Sequence, residues 1–166
     1  MNRSDITDML SGLVEKRLRS RRMFWAPEVS FDKGGPDERR IDYVGFKPFT
    51  PNYRVEPASV ELGRFECYEV KSCMADFDSG HGLTFYGDEN YLVTTREFAE
   101  ELRLKMLTPR DIDAVLVPNQ TRTALLALGG ESHGYSYGSQ SYRRRVASEM
   151  LWQIMQARHH YDLEES

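Results

Sequence analysis

Cysteine is scarce in this chain: Cys67 and Cys73 are the only two in 166 residues. That pair supplies neither a disulfide framework nor metal-ligand spacing, and a reduced, cytoplasmic protein is the simplest expectation. No apolar run is long enough to span a bilayer, so no membrane role is expected. Met1-Asn2-Arg3-Ser4-Asp5 lacks the apolar stretch of a secretion signal. Histidine is thin as well. His81 sits between glycines, where a surface histidine is the default, and His159-His160 fall near the C-terminus. There is no glycine-rich phosphate loop and no Ser-His-Asp arrangement. The net charge of −4 shows no basic excess that would advertise nucleic-acid binding.

The distribution of charge says more than its total. Lys16, Arg17, Arg19, Arg21 and Arg22 cluster early, Arg39 and Arg40 stand just before Asp42, and Arg143, Arg144 and Arg145 open the expected last helix. Such patches can steer a polyanion toward a chain of negative total charge. Solvated helix faces account for the same residues.

The length suggests one domain over residues 1–166 with a real core. Ser4 is placed to cap a helix reaching about Arg22, with Ile6, Met9, Leu10, Leu13, Val14 and Leu18 as its apolar stripe. Phe24 to Val29 reads as an edge strand because Pro27 interrupts it. Two β-prone runs follow, residues 40–46 and 65–71, joined by a proline-bearing connection over 48–62. Residues 72–77 start a short helix and 90–94 a strand. Thr94 and Glu97 have capping-box spacing for a helix through Met106. Strands at 114–117 and 123–128 read as a hairpin across Pro118-Asn119-Gln120. A Gly/Ser/Tyr loop precedes the last helix, which begins near Ser141 with Val146, Ala147, Met150, Leu151 and Ile154 inward.

Against this frame, Ile41-Asp42 and Tyr68-Glu69-Val70-Lys71 are the most informative segments. Residues two apart on a strand share a face, so Glu69 and Lys71 project together. If the Asp42 strand pairs beside them, two carboxylates and an ammonium share one apolar sheet face. That is costly unless the carboxylates bind a cation. Hard oxygen ligands suit magnesium or manganese. Glu15 lies beside the apolar stripe of the first helix and is either a third acid facing the site or an i+4 partner of Arg19.

The order helix, strand, strand with Asp42, strand with Glu69-x-Lys71, helix, strand resembles the PD-(D/E)XK nuclease superfamily. The run Glu69-Val70-Lys71-Ser72-Cys73-Met74-Ala75-Asp76-Phe77 is similar to the MmcB-type DNA-repair branch. The likeness covers about residues 4–128, with Ile41 standing where a proline names the motif. It implies an α/β fold, with a restriction-endonuclease-like αβββαβ core whose mixed sheet is flanked by helices. It further implies a metal-dependent nuclease acting on DNA, with Asp42, Glu69 and Lys71 catalytic. The implied ligands of Mg2+ (or Mn2+) are Asp42, Glu69, the Val70 carbonyl and Glu15. Arg39, Arg40, Ser72, Arg143, Arg144 and Arg145 are the expected nucleic-acid contacts, with Tyr135, Tyr137 and Tyr142 available to stack on bases. Ser72 and Asp76 have helix capping as their competing role. A homodimer is compatible with the chain. A non-catalytic nucleic-acid-binding module that keeps the fold is the alternative, and an unrelated α/β protein with a coincidental motif is a third reading.

Overall fold

The computed structural model describes residues 2–79, 82–128 and 142–164. Its elements in chain order are α1 (Arg3–Ser20), β1 (Phe24–Phe31), β2 (Arg39–Lys47), β3 (Arg64–Val70), α2 (Met74–Asp78), β4 (Glu89–Val93), α3 (Arg96–Leu104), β5 (Ala114–Pro118), β6 (Leu125–Ala127) and α4 (Ala147–Glu164). The chain is therefore α/β, as expected, with a six-stranded mixed sheet flanked by helices. Strand order follows the chain from β1 to β6. β1, β2 and β3 form an antiparallel meander, β3, β4 and β5 run parallel, and β6 turns back antiparallel on β5. Among the described residues, no helix is long and apolar enough to cross a membrane.

Alternation along the strands sorts the core into two layers. Tyr43, Tyr68, Val70, Tyr91 and Val93 pack under Leu10, Leu13, Val14 and Leu18 of α1. On the other face, Val29, Phe31, Val44, Phe65 and Cys67 meet Ala147, Met150 and Ile154 of α4. Leu92 meets Phe98 and Leu102 of α3. At about 25 cal/mol per Å2 of apolar surface removed from water, each fully buried leucine or phenylalanine is worth about 1.5–3 kcal/mol. Burial of these faces, more than helix propensity, holds α1 and α4 down.

Cap positions differ from the sequence expectation by one or two residues. Asn2, not Ser4, caps α1: its Oδ1 accepts the Asp5 N–H at 2.9 Å while Asp5 Oδ2 accepts the Asn2 N–H at 3.0 Å. Thr95, not Thr94, caps α3 by accepting the Phe98 N–H. Thr94 is thereby released for a contact described below. α3 ends at Leu104 rather than Met106, which stands at φ +56°. Arg143–Arg145 precede α4 rather than opening it. Ser141, Gly80, His81, Tyr135 and Tyr137 lie outside the described residues.

Candidate functional site

The site begins where β2 and β3 part. Their register ends with Tyr43 opposite Tyr68, which brings Asp42 opposite Glu69 one step further on. There the Asp42 side chain takes the place of a main-chain acceptor: its Oδ2 accepts the Val70 N–H at 2.7 Å. A local slip in the strands permits this. Ala26 and Val29 both face α4, and so do Ile41 and Val44, although residues three apart in a regular strand take opposite faces. Both slips fall at one level of the sheet, with Glu28 at φ +54° in β1 and Asp42 in β2. Such kinks re-aim side chains at strand ends.

Glu69 and Lys71 occupy the carboxyl end of β3, where the antiparallel meander gives way to the parallel strands. Open sheets bind ligands at switch points of this kind. The main chain of Lys71 is pinned to β4. Its N–H donates to the Val93 carbonyl at 3.0 Å, and its carbonyl accepts the Thr94 hydroxyl at 2.6 Å. Lys71 Nζ lies 3.7 Å from Asp76 Oδ1 on α2. Arg3 of α1 reaches that same oxygen at 3.3 Å. Glu69 is 0% exposed. Its Oε1 accepts the Thr84 N–H at 3.1 Å, whereas its Oε2 is buried and has no hydrogen-bond partner among the described residues. The chain passes directly over this oxygen at Gly82. A Cβ there would stand 2.8 Å from Glu69 Oε2 and 3.4 Å from Lys71 Nζ, at a φ of +75° that already favours glycine.

Burial sets the electrostatics. The Glu69 carboxyl is pushed well above the ordinary carboxylate range, first by burial and then by the Asp42 charge. The Thr84 N–H and Lys71 oppose the shift. Asp42 is also raised, chiefly by burial, against the Val70 N–H and Lys71. Two carboxylates face each other with too few donors, which is the demand a cation meets. Among the described residues, no three His, Cys, Asp or Glu side chains converge as a metal cluster. The Asp42–Glu69 pair therefore fits a cation whose shell is completed by main-chain oxygen and water.

An open cleft of about 850 Å3 lies beside the pair, lined by Asp42, Val70, Lys71, Asp76, Gly82, Glu28 and Arg39–Arg40 on one side. Arg3, Thr7 and Ser11 of α1 form the facing wall.

The comparisons with known proteins identify the fold and stop there. No family model matches the chain. No curated protein matches it. Among solved structures, a protein of unknown function from Silicibacter pomeroyi is similar, with a TM-score of 0.56 and 16% identity over 96% of this chain and 88% of that one. This is a likeness of fold.

The other expected site residues divide. Arg39 and Arg40 do line the cleft, with Arg40 2.6 Å from Glu28. Glu15 does not: Arg19 holds it at 2.8 Å and the Tyr43 hydroxyl donates to it at 3.3 Å, so its i+4 partnership prevails. Ser72 is buried and its N–H donates to Asp76 Oδ2 at 3.3 Å, but the N-cap of α2 is Cys73, without a side-chain cap, and the Ser72 hydroxyl is buried with no hydrogen-bond partner among the described residues. The residues of the expected Arg143–Arg145 track are engaged in ion pairs and hydrogen bonds. Arg143 bonds the Glu61 carbonyl at 3.0 Å and stands 3.8 Å from Asp88. Arg144 meets Asp111 at 3.3 Å, and Arg145 meets Asp32 and Glu149. Arg143 also covers the Phe65 ring, six residues along β3 from Lys71, or about 20 Å at strand rise. These arginines fasten the segment before α4 to the sheet. Tyr142 is exposed beneath the Arg144 guanidinium.

Sequence reasoning missed Arg3, Thr7 and Ser11 as a unit. Their i, i+4, i+8 spacing was the available signal, since it places all three on one helix face. Glu28, Gly82 and Thr84 carried no local signal, because each matters only through what packs against it.

Proposed function

We propose that this chain is a metal-dependent nuclease that hydrolyses DNA phosphodiester bonds, in a repair, recombination or mobile-element setting. One observation carries the reading: Glu69 Oε2 is buried without a donor among the described residues, opposite Asp42 and behind Lys71 and Gly82, which with Asp42 line an open cleft. A buried carboxylate pair of this kind lowers stability unless a cation shares it. Asp42, Glu69 and the Val70 carbonyl would hold a magnesium or manganese ion. When bound, the ion supplies charge for the phosphate oxygens and lowers the pKa of water. The chain's own residues do the rest. The Val70 N–H orients Asp42 and the Thr84 N–H orients Glu69. Lys71, fixed through its main chain to β4 and steered by Asp76, directs its ammonium at the attacking water and offsets the negative charge that develops there. Arg39 and Arg40 meet the flanking phosphates.

A second reading has one observation in its favour. Among the described residues, no third carboxylate joins Asp42 and Glu69 as a metal cluster, and Glu15 is taken by Arg19 and Tyr43. This suits a module that binds nucleic acid without cutting it. Two measurements separate the readings. In the first, manganese is titrated calorimetrically into the parent, Asp42→Asn and Glu69→Gln. In the second, labelled single-stranded, duplex, flapped and branched DNA is incubated with magnesium and with manganese. The nuclease reading expects a sharp loss of manganese affinity in both variants, and cleavage by the parent of at least one substrate. Metal binding unchanged in both variants would remove the site. Metal binding without cleavage of any DNA would leave the binding module.

A further inference from the structure

All 22 lysines and arginines of the chain lie among the described residues. The basic clusters are largely committed within the molecule. Arg19 and Arg21 are held by Glu15 and Glu66, and Arg143–Arg145 are paired as described above. Four cations line the cleft, Arg3, Arg39, Arg40 and Lys71, and three of them pair with carboxylates of the same cleft, Arg3 and Lys71 with Asp76 and Arg40 with Glu28. Four carboxylates, those of Glu28, Glu38, Asp42 and Asp76, line it with them. A duplex binder typically neutralises about 6–10 phosphates along an extended basic surface. The cleft itself offers four cations.

The shape of the cleft agrees with its charge. Its volume of about 850 Å3 lies in the range of about 300–1,000 Å3 that takes up one drug-sized molecule. That is room for one or two nucleotides of a strand lying in it. The α1 wall is graduated along its length. Arg3, Thr7 and Ser11 recur every four residues, about 6 Å apart along the helix axis. That interval resembles the step between phosphates of an extended strand. Arg3 contributes charge, and Thr7 and Ser11 contribute hydroxyls. The Thr7 hydroxyl gives its one proton to the Arg3 carbonyl at 3.1 Å, so it faces the strand as a small polar surface and not as a donor.

We infer that the cleft takes a single strand rather than a duplex. The strand's backbone lies along Arg3, Thr7 and Ser11, passes Asp42 and leaves by Arg39–Arg40. The inference rests on the nucleic-acid reading of the cleft but not on turnover, so it is tested by binding. A labelled, hydrolysis-resistant phosphorothioate DNA 12-mer is titrated by fluorescence anisotropy in manganese, as a single strand and annealed to its complement. The single strand is expected to bind at least tenfold tighter. Its affinity should fall with salt at a slope no steeper than about −3, from four contacts at about −0.7 each. The double variant Arg3→Gln/Ser11→Ala should weaken single-strand binding and flatten the slope by about 0.7. Its melting temperature and manganese affinity should match the parent's, a pattern that a purely structural role would not give. Duplex binding equal to or tighter than single-strand binding overturns the inference, as does a slope beyond about −5, or an Arg3→Gln/Ser11→Ala variant that binds like the parent. If the duplex is both bound and cleaved, the inference falls while the nuclease reading stands. If neither form binds although manganese does, both fall.

Discussion

The sharpest test of the carboxylate pair is Glu69→Gln in the absence of metal. Glu69 is fully buried, and its Oε1 already has the Thr84 N–H. Its Oε2 has no donor among the described residues, and the Asp42 carboxylate opposite can only accept. Glutamine keeps the shape and the Oε1 contact but presents an amide to Asp42, so a like-charge contact becomes a donor–acceptor contact. An unsatisfied buried polar group costs about 1–3 kcal/mol. The metal-free variant should therefore gain about that much. At about 2–4 °C per kcal/mol for a chain of this size, its melting temperature rises by about 2–12 °C. The sign of the pH dependence follows from the raised carboxyls. Folding favours their protonated forms, so this contribution to stability is fully present below the ordinary carboxylate range near 4. It is lost as pH rises through the elevated folded values. The advantage of glutamine should accordingly be full at pH 8 and shrink toward pH 4. Manganese should reverse the order. A ligand at a hundred times its Kd stabilises the parent by about 2.7 kcal/mol, whereas the variant has lost one of two charged ligands. Thermal unfolding followed by circular dichroism, at pH 5 and pH 8 with EDTA or with manganese, reads all of this. A variant less stable than the parent in EDTA at pH 8 would refute the reasoning. An undiminished manganese shift in the variant would do so equally.

Three further outcomes are expected. Lys71→Met keeps the aliphatic stem and deletes the charge. Turnover of cleavable DNA should drop by roughly two to four orders of magnitude with little change in manganese affinity, and near-normal turnover would exclude Lys71 from the chemistry. Gly82→Ala places a methyl 2.8 Å from Glu69 Oε2 at φ +75°. It should lower the melting temperature and weaken manganese binding, by calorimetry, together, since a left-handed alanine alone costs about 1–2 kcal/mol. Neutralising Arg143, Arg144 and Arg145 to glutamine should lower stability by about 1–3 kcal/mol, because partly exposed ion pairs contribute up to about 1 kcal/mol each. The salt slope of DNA binding should be unmoved in that triple variant, and a flattened slope would return these residues to the phosphate track.

The order of elements and the face of each helix were legible in the sequence, because both follow from local side-chain period. The stripe from Ile6 to Leu18 and the β-prone runs through Asp42 and Glu69 need no partner to be recognised. The same period placed Glu69 and Lys71 on one face, and the pairing of β2 with β3 brought Asp42 to them. Chain-distant contacts decided everything else. Glu15 stands on the right helix, yet Arg19 and Tyr43 claim it. Arg145 resembled a phosphate contact until Asp32, 113 residues away in sequence, closed on it. The slip at Glu28 and Asp42 that turns a strand carboxylate toward the Val70 N–H arises from two strands kinking at one level, which neither strand specifies alone. Ion pairs and backbone departures depend on what lies opposite in space. Charge patches read along the chain therefore mislead where hydrophobic periodicity does not.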